Sequence, residues 1–175
     1  MANCVLEQTV CSAKNIDALN RSVIATIDVP NGTPLTLTAP TTAGSNVFTA
    51  STPTTPFANV WLAYSPEVNK LQVGKVFGGA DPRNFTNVAN KPFDAFRPMA
   101  NVDVIQVTSD FFATAPSTGS TVVELDATGF VAKTTATSGY TGISFKIIRS
   151  EPMTIASQTG YGEQVTAYYL ECTAN

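Results

Sequence analysis

Apolar residues in this chain recur at every second position in short runs, and Pro, Gly or Asn interrupts each run before a helical period can establish itself. Ile143, Phe145 and Ile147 alternate against Ser144 and Lys146, the period of a half-buried strand. The run Asn59–Pro66 places Trp61 and Ala63 on one face against Val60, Leu62 and Tyr64 on the other, so both of its faces are expected to be covered. Val102, Val104, the extra apolar Ile105 and Val107 mark a central strand within Asn101–Phe112. Further runs fall at Ser22–Val29, Pro34–Thr38, Val47–Ala50, Leu71–Phe77, Thr121–Lys133 and Gln164–Thr173, the last with Val165, Ala167 and Tyr169 opposite Thr166 and Tyr168. Roughly seven to ten short strands with frequent turn signals predict an all-β fold, a single antiparallel β-barrel or sandwich-like domain.

The punctuation has its own chemistry. Pro30-Asn31-Gly32 joins a residue with a preset φ to two that tolerate positive φ, which predicts a hairpin. Pro34 lacks an N–H, so the strand after that turn is expected to begin beyond it or to lie at an edge. Asp126 and Gly129 stand at the first and fourth positions of a second predicted hairpin turn. Gly74, Gly78 and Gly79 fit no phosphate-binding pattern and read as turn glycines.

Two segments break the alternation. Residues 1–17 carry Val5, Leu6, Val10 and Ile16 without a steady period. They read as an N-terminal arm, either frayed or clasping a neighbouring subunit, ahead of a β domain over 18–175. Asp81–Met99 is an island of Asn, Phe and Lys that reads as one short irregular or helical insertion, with Phe85/Val88 and Phe93/Phe96 each three apart. Pro92 and Pro98 keep any helix there short. Its phenylalanines would plug one end of a barrel or, alternatively, form an exposed anchor flanked by Arg83 and Arg97.

Composition narrows the function. The 175 residues contain no histidine, which removes Ser-His-Asp and Cys-His nucleophiles, His-ligated metals and the commonest general base. Asp94, Asp103 and Asp110 are the nearest thing to a catalytic carboxylate group, but isolated acids on strands and loops are more commonly solvated or capping groups. The expectation is a chain without enzymatic activity. Three cysteines without CxxC spacing make a poor zinc site and read as thiols. Neither cofactor nor metal is expected. Ten basic against thirteen acidic residues, with no basic run, argue against nucleic acid, and no apolar run is long enough for a membrane helix. The first residues lack the features of a secretory signal, which predicts synthesis in a cytoplasm. Only 13% of residues are charged, about half the usual ~25%, as suits a protein packed against other subunits.

The order of segments carries a resemblance. An early strand leads into Ile27-Asp-Val-Pro-Asn-Gly-Thr-Pro-Leu-Thr-Leu, then Val47-Phe-Thr-Ala-Ser-Thr-Pro, Trp61-Leu-Ala-Tyr-Ser-Pro-Glu-Val, the island with Asn84-Phe and Lys91-Pro, and the strand Val102–Phe112. Over residues 20–112 this resembles the small virion proteins of tailed bacteriophages that decorate or cement the capsid. The Thr/Ser/Pro-rich loops and the sparsely charged island depart from that pattern. The resemblance implies a structural protein on the capsid surface whose partners are the major capsid protein and possible further copies of itself, as a trimer or another homo-oligomer. The contacts expected from the arm and the island are Val5, Leu6, Arg83, Phe93, Phe96 and Arg97. Two alternatives are a virion surface module that stacks host glycans on Trp61 or Tyr168, and a tail or neck component.

Overall fold

The computed structural model describes residues 4–65, 83, 85–156 and 162–175. Among them every regular element beyond single 3-10 turns is a strand, so the fold is all-β. Five strands close a small barrel in the order β2 (Asn20–Ile24), β5 (Val47–Ser51), β4 (Pro34–Pro40), β6 (Trp61–Ala63) and β8 (Phe93–Phe96). A seven-stranded sheet runs β1 (Leu6–Val10), β9 (Val104–Thr108), β14 (Gly162–Ala174), β13 (Ser144–Ala156), β11 (Val122–Asp126), β12 (Gly129–Lys133) and β10 (Phe112–Thr114). A separate pair joins β3 (Val29–Pro30) to β7 (Thr86–Asn87).

Each half has its own core. Inside the barrel lie Val23, Leu35, Ala50, Ala63, Phe93 and Ala95. The second core is aromatic: Phe111 stacks on Phe130 at 4.5 Å, and Phe145 meets both edge-on. Strand alternation links the two. On β6, Ala63 faces the barrel interior while Leu62 joins the sheet's core; on β8, Phe93 and Ala95 face inward while Phe96 joins the sheet. The run Asn59–Pro66 thus does hold a strand covered on both faces, though it is shorter than expected, Trp61–Ala63.

The predicted β11–β12 hairpin is present, with Asp126 opposite Gly129. Asp126 Oδ1 accepts from the Thr128 N–H at 2.7 Å and the Gly129 N–H at 3.2 Å, which fixes the turn. The half-buried strand predicted from Ile143 becomes the start of β13, which begins at Ser144 and pairs through twelve of its residues with β14, with irregularities between Ser144 and Phe145 and between Ile147 and Arg149. On β14, Leu170 and Cys172 enter the sheet's core with Tyr168 packed against them, and Ala167 and Tyr169 of the expected face are buried as well. β9 is central, as expected, lying between β1 and β14, although it begins only at Val104 and leaves Val102 51% exposed.

Several expectations are corrected. Pro30-Asn31-Gly32 does turn, with the Thr33 N–H donating to Pro30 O at 3.3 Å and Gly32 at φ +80°. It makes no hairpin, because β3 pairs with β7 while β4, which starts at Pro34 itself, pairs with β5 and β6. The sheets are not wholly antiparallel: β2 runs parallel to β5 and β10 to β12. The described part of the island holds no α-helix; Phe93 and Phe96 lie on a strand and point to opposite faces, one into each core. The run Leu71–Phe77 and its glycines lie outside the described residues.

The arm is also revised. From Cys4 onward the N-terminal segment is part of the domain, since β1 pairs with β9 and Cys4, Val5, Leu6, Cys11 and Ala13 are all buried.

Candidate partner-binding surfaces

The residues expected to face a partner are largely engaged within the fold. Val5 is 6% and Leu6 2% exposed, because Leu6 faces Val107 across the β1–β9 ladder and both enter the sheet's core. Phe93 and Phe96 are 7% and 1% exposed, so neither is an exposed anchor, and instead of plugging one end of the barrel they fill two cores, Phe93 the barrel's and Phe96 the sheet's. Arg97 donates to Asn59 Oδ1 at 2.7 Å, and Arg83 pairs with Glu163 at 2.5 Å. Trp61 is half-buried at one end of the barrel, and the Arg21 guanidinium lies 5.7 Å from its ring and 5.6 Å from that of Phe48. Tyr168 meets Phe112 edge-on at 5.2 Å.

The surface is shaped instead by one acid. Asp103 is fully buried, and its oxygens accept from Ser12 N at 2.7 Å, Ser12 Oγ at 2.6 Å and Met99 N at 2.9 Å, with Cys11 Sγ at 3.6 Å. Burying a carboxyl group is costly without such donors. Here the donors come from the N-terminal segment and from the chain leaving β8, so one side chain fastens the two segments together. Asp103 also joins β14 through its backbone, its carbonyl accepting from the Cys172 N–H at 2.9 Å.

Around this staple four large apolar residues remain exposed: Val10 at 58%, Ile16 at 44%, Met99 at 38% and Val102 at 51%. Each is placed by a backbone cause. A β-bulge between Gln8 and Val10 shifts the register, setting Val10 opposite Val104 rather than in phase with buried Leu6. The Ile16 N–H donates to Ser12 O at 2.9 Å, on a short turn that Asp103 holds in place. Met99 binds Asp103 directly, and Val102 follows Asn101, whose positive φ of 61° turns the chain outward.

The nearby thiols are chemically quiet. Burial, with the Asp103 carboxylate adding to it, pushes both the Cys11 and Cys172 thiols up to about 12. Neither is a thiolate nucleophile at neutral pH. Across the sheet, burial works to raise the Glu124 pKa, but Lys133 Nζ at 2.7 Å and the Thr137 hydroxyl and N–H outweigh it and hold it below the usual carboxylate range. Among the described residues Asp103 and Glu124 are the buried acids, and both bind neighbouring chain segments. Asp94 is exposed and Asp110 half-buried, so the three aspartates considered for catalysis sit in three different environments.

The open end of the barrel forms a second surface. A cleft of about 440 Å³ there is lined by Val29, Pro30, Pro34, Leu35 and Ala50, with Ile27 beside them. Ile27, 66% exposed, and Val88, 59% exposed, lie on neighbouring turns held together where Asp28 Oδ1 accepts from the Ala89 N–H and the Asn90 N–H donates to Ala25 O, both at 2.8 Å.

No alternating pattern could have singled out these exposed positions, since apolar residues in turns read in sequence like the ends of core strands. No family model, curated protein or solved structure matches the chain.

Proposed function

We propose that this chain is a structural protein of a bacteriophage virion that binds the outside of the capsid and stabilises its lattice. The observation that carries this reading is the Asp103 corner. The two segments expected to touch the capsid are fastened together there, and Val10 and Ile16 of the first, Met99 at the end of the second and Val102 just beyond it are exposed. A ligand that binds only the assembled shell favours assembly by mass action, and a fixed apolar corner binds without the entropy cost of ordering a loop. The low charged fraction of 13% adds little repulsion at such a contact.

Met99→Asp combined with Val102→Asp is expected to lower the copy number on purified virions at least tenfold while leaving the thermal midpoint of the isolated protein unchanged. Density for the protein on the tail or neck, or its absence from virions, would overturn the reading. Cryo-electron microscopy of the virion makes that decision directly.

A further inference from the structure

The barrel has two unlike ends. Strands β2, β5 and β6 all begin at the end where Arg21, Phe48 and Trp61 close the interior, and Arg97, which follows β8, bonds to Leu19 O at 2.9 Å there. The Asp103 corner continues from this closed end, through the segment preceding β2 and the segment leaving β8. The cleft lies at the opposite end, where β2 and β5 finish.

At that open end an apolar projection and an apolar recess share one face. Ile27 is the most exposed large apolar residue among the described residues, and it also borders the cleft. The volume of about 440 Å³ falls in the range of pockets that enclose ligands, which leaves room for aliphatic side chains above Leu35 and Ala50. Projection and recess on a single patch are what a two-fold interface requires, because both partners present the same surface. The charges fit as well. Asp28 follows Ile27, while exposed Lys91 closes the turn that carries Val88, so the patch holds one acid and one base, and a two-fold axis can set unlike charges across from each other. The turns are pinned by the Asp28–Ala89 and Ala25–Asn90 hydrogen bonds, so little ordering is needed on contact.

We propose that the barrel mouth is a self-association site at which two copies of this chain pack about a two-fold axis, Ile27 and Val88 of each copy entering the cleft of the other. This site requires no capsid and uses the end of the barrel away from the Asp103 corner. A protein built this way would dimerise through one end and present two identical corners at the other.

The test is sedimentation velocity of the full chain from low to high micromolar concentration. Wild type is expected to pass from a species of 18.4 kDa to one of twice that mass, and Ile27→Asp to weaken the dimer at least tenfold with an unchanged thermal midpoint. Val88→Asp, on the neighbouring turn, gives an independent reading should Ile27→Asp fail to fold. A wild type that stays monomeric at every concentration overturns the proposal, as does a dimer that survives both substitutions. A monomer whose cleft instead takes up a coat-protein segment or a small apolar molecule also overturns it. A wild-type dimer that fails to bind capsids would count against the Asp103 corner alone.

Discussion

The barrel and the sheet bury their interiors by opposite means. Among the described residues, four of the eight buried in the barrel's core are alanine, Ala25, Ala50, Ala63 and Ala95, and Phe93 is the one ring of the eight, so the strands close tightly around little volume. The sheet's core is built on Phe96, Phe111, Phe112, Phe130 and Phe145, and its order comes from ring geometry. A small barrel is limited by how much it can contain, whereas an open sheet is limited by how well it can fill the space above it. Enlarging a residue should therefore harm the first half, and truncating one should harm the second.

Phe130→Ala tests the sheet most severely. It removes a fully buried ring that stacks on Phe111 at 4.5 Å, and a loss of about 4 kcal/mol is expected, read as a lower urea midpoint. Glu124→Ala comes next at about 3 kcal/mol, because Lys133 and Thr137 lose a buried partner. Glu124 is also the source of a pH dependence. Lys133 and Thr137 hold its folded pKa below that of a free glutamate, so its contribution is complete above the free value and disappears as pH falls through the lowered folded value. Glu124→Gln should flatten this acid limb in urea titrations between neutral and acidic pH.

The barrel gives smaller effects of the other sign of volume. Ala95→Leu is expected to cost about 2 kcal/mol by overpacking; equal tolerance of Ala95→Leu and of a truncation in the sheet would erase the contrast between the halves. Arg21→Ala, which uncovers Phe48 and Trp61 at the closed end, should cost about 1 kcal/mol, seen as a small drop in thermal midpoint. A larger loss would mean that the cap, and not the alanine interior, holds the barrel shut.

How much of this was legible in sequence follows the range of the interactions. Local patterns read correctly: the two faces around Trp61 and Leu62, the Asp126–Gly129 turn, and the alternation from Ile143 to Ile147 each depend on residues close in the chain. Partner choice did not. The Pro30-Asn31-Gly32 turn was visible, but β3 finds β7 and β4 finds β5 and β6, pairings set by the closure of the whole barrel. Phe93 and Phe96 suggest a helical spacing that four residues cannot distinguish from a strand facing two cores. For the candidate surface, the sequence marks the two segments that meet at Asp103, and burial decides which of their residues reach the outside. Val5 and Leu6 are apolar in the same way as Val10, and only the bulge separates the buried pair from the exposed one. The cleft at the open end was invisible, because it arises where segments distant in sequence converge.

The position of β14 has a further consequence, for biosynthesis. This strand follows every other described strand in the chain, yet it lies between β13 and β9 in the middle of the sheet. Until it emerges from the ribosome, β9 lacks its neighbour, and the side chains of Ile105 and Val107 have an incomplete core to enter. The barrel strands are all made earlier and can close first, so the nascent chain would carry a finished barrel attached to an unfinished sheet. Such an intermediate exposes unpaired strand edges, the usual route to aggregation. Soluble yield should thus fall when translation is slowed before β14 and recover at lower temperature, independently of how stable the completed protein is.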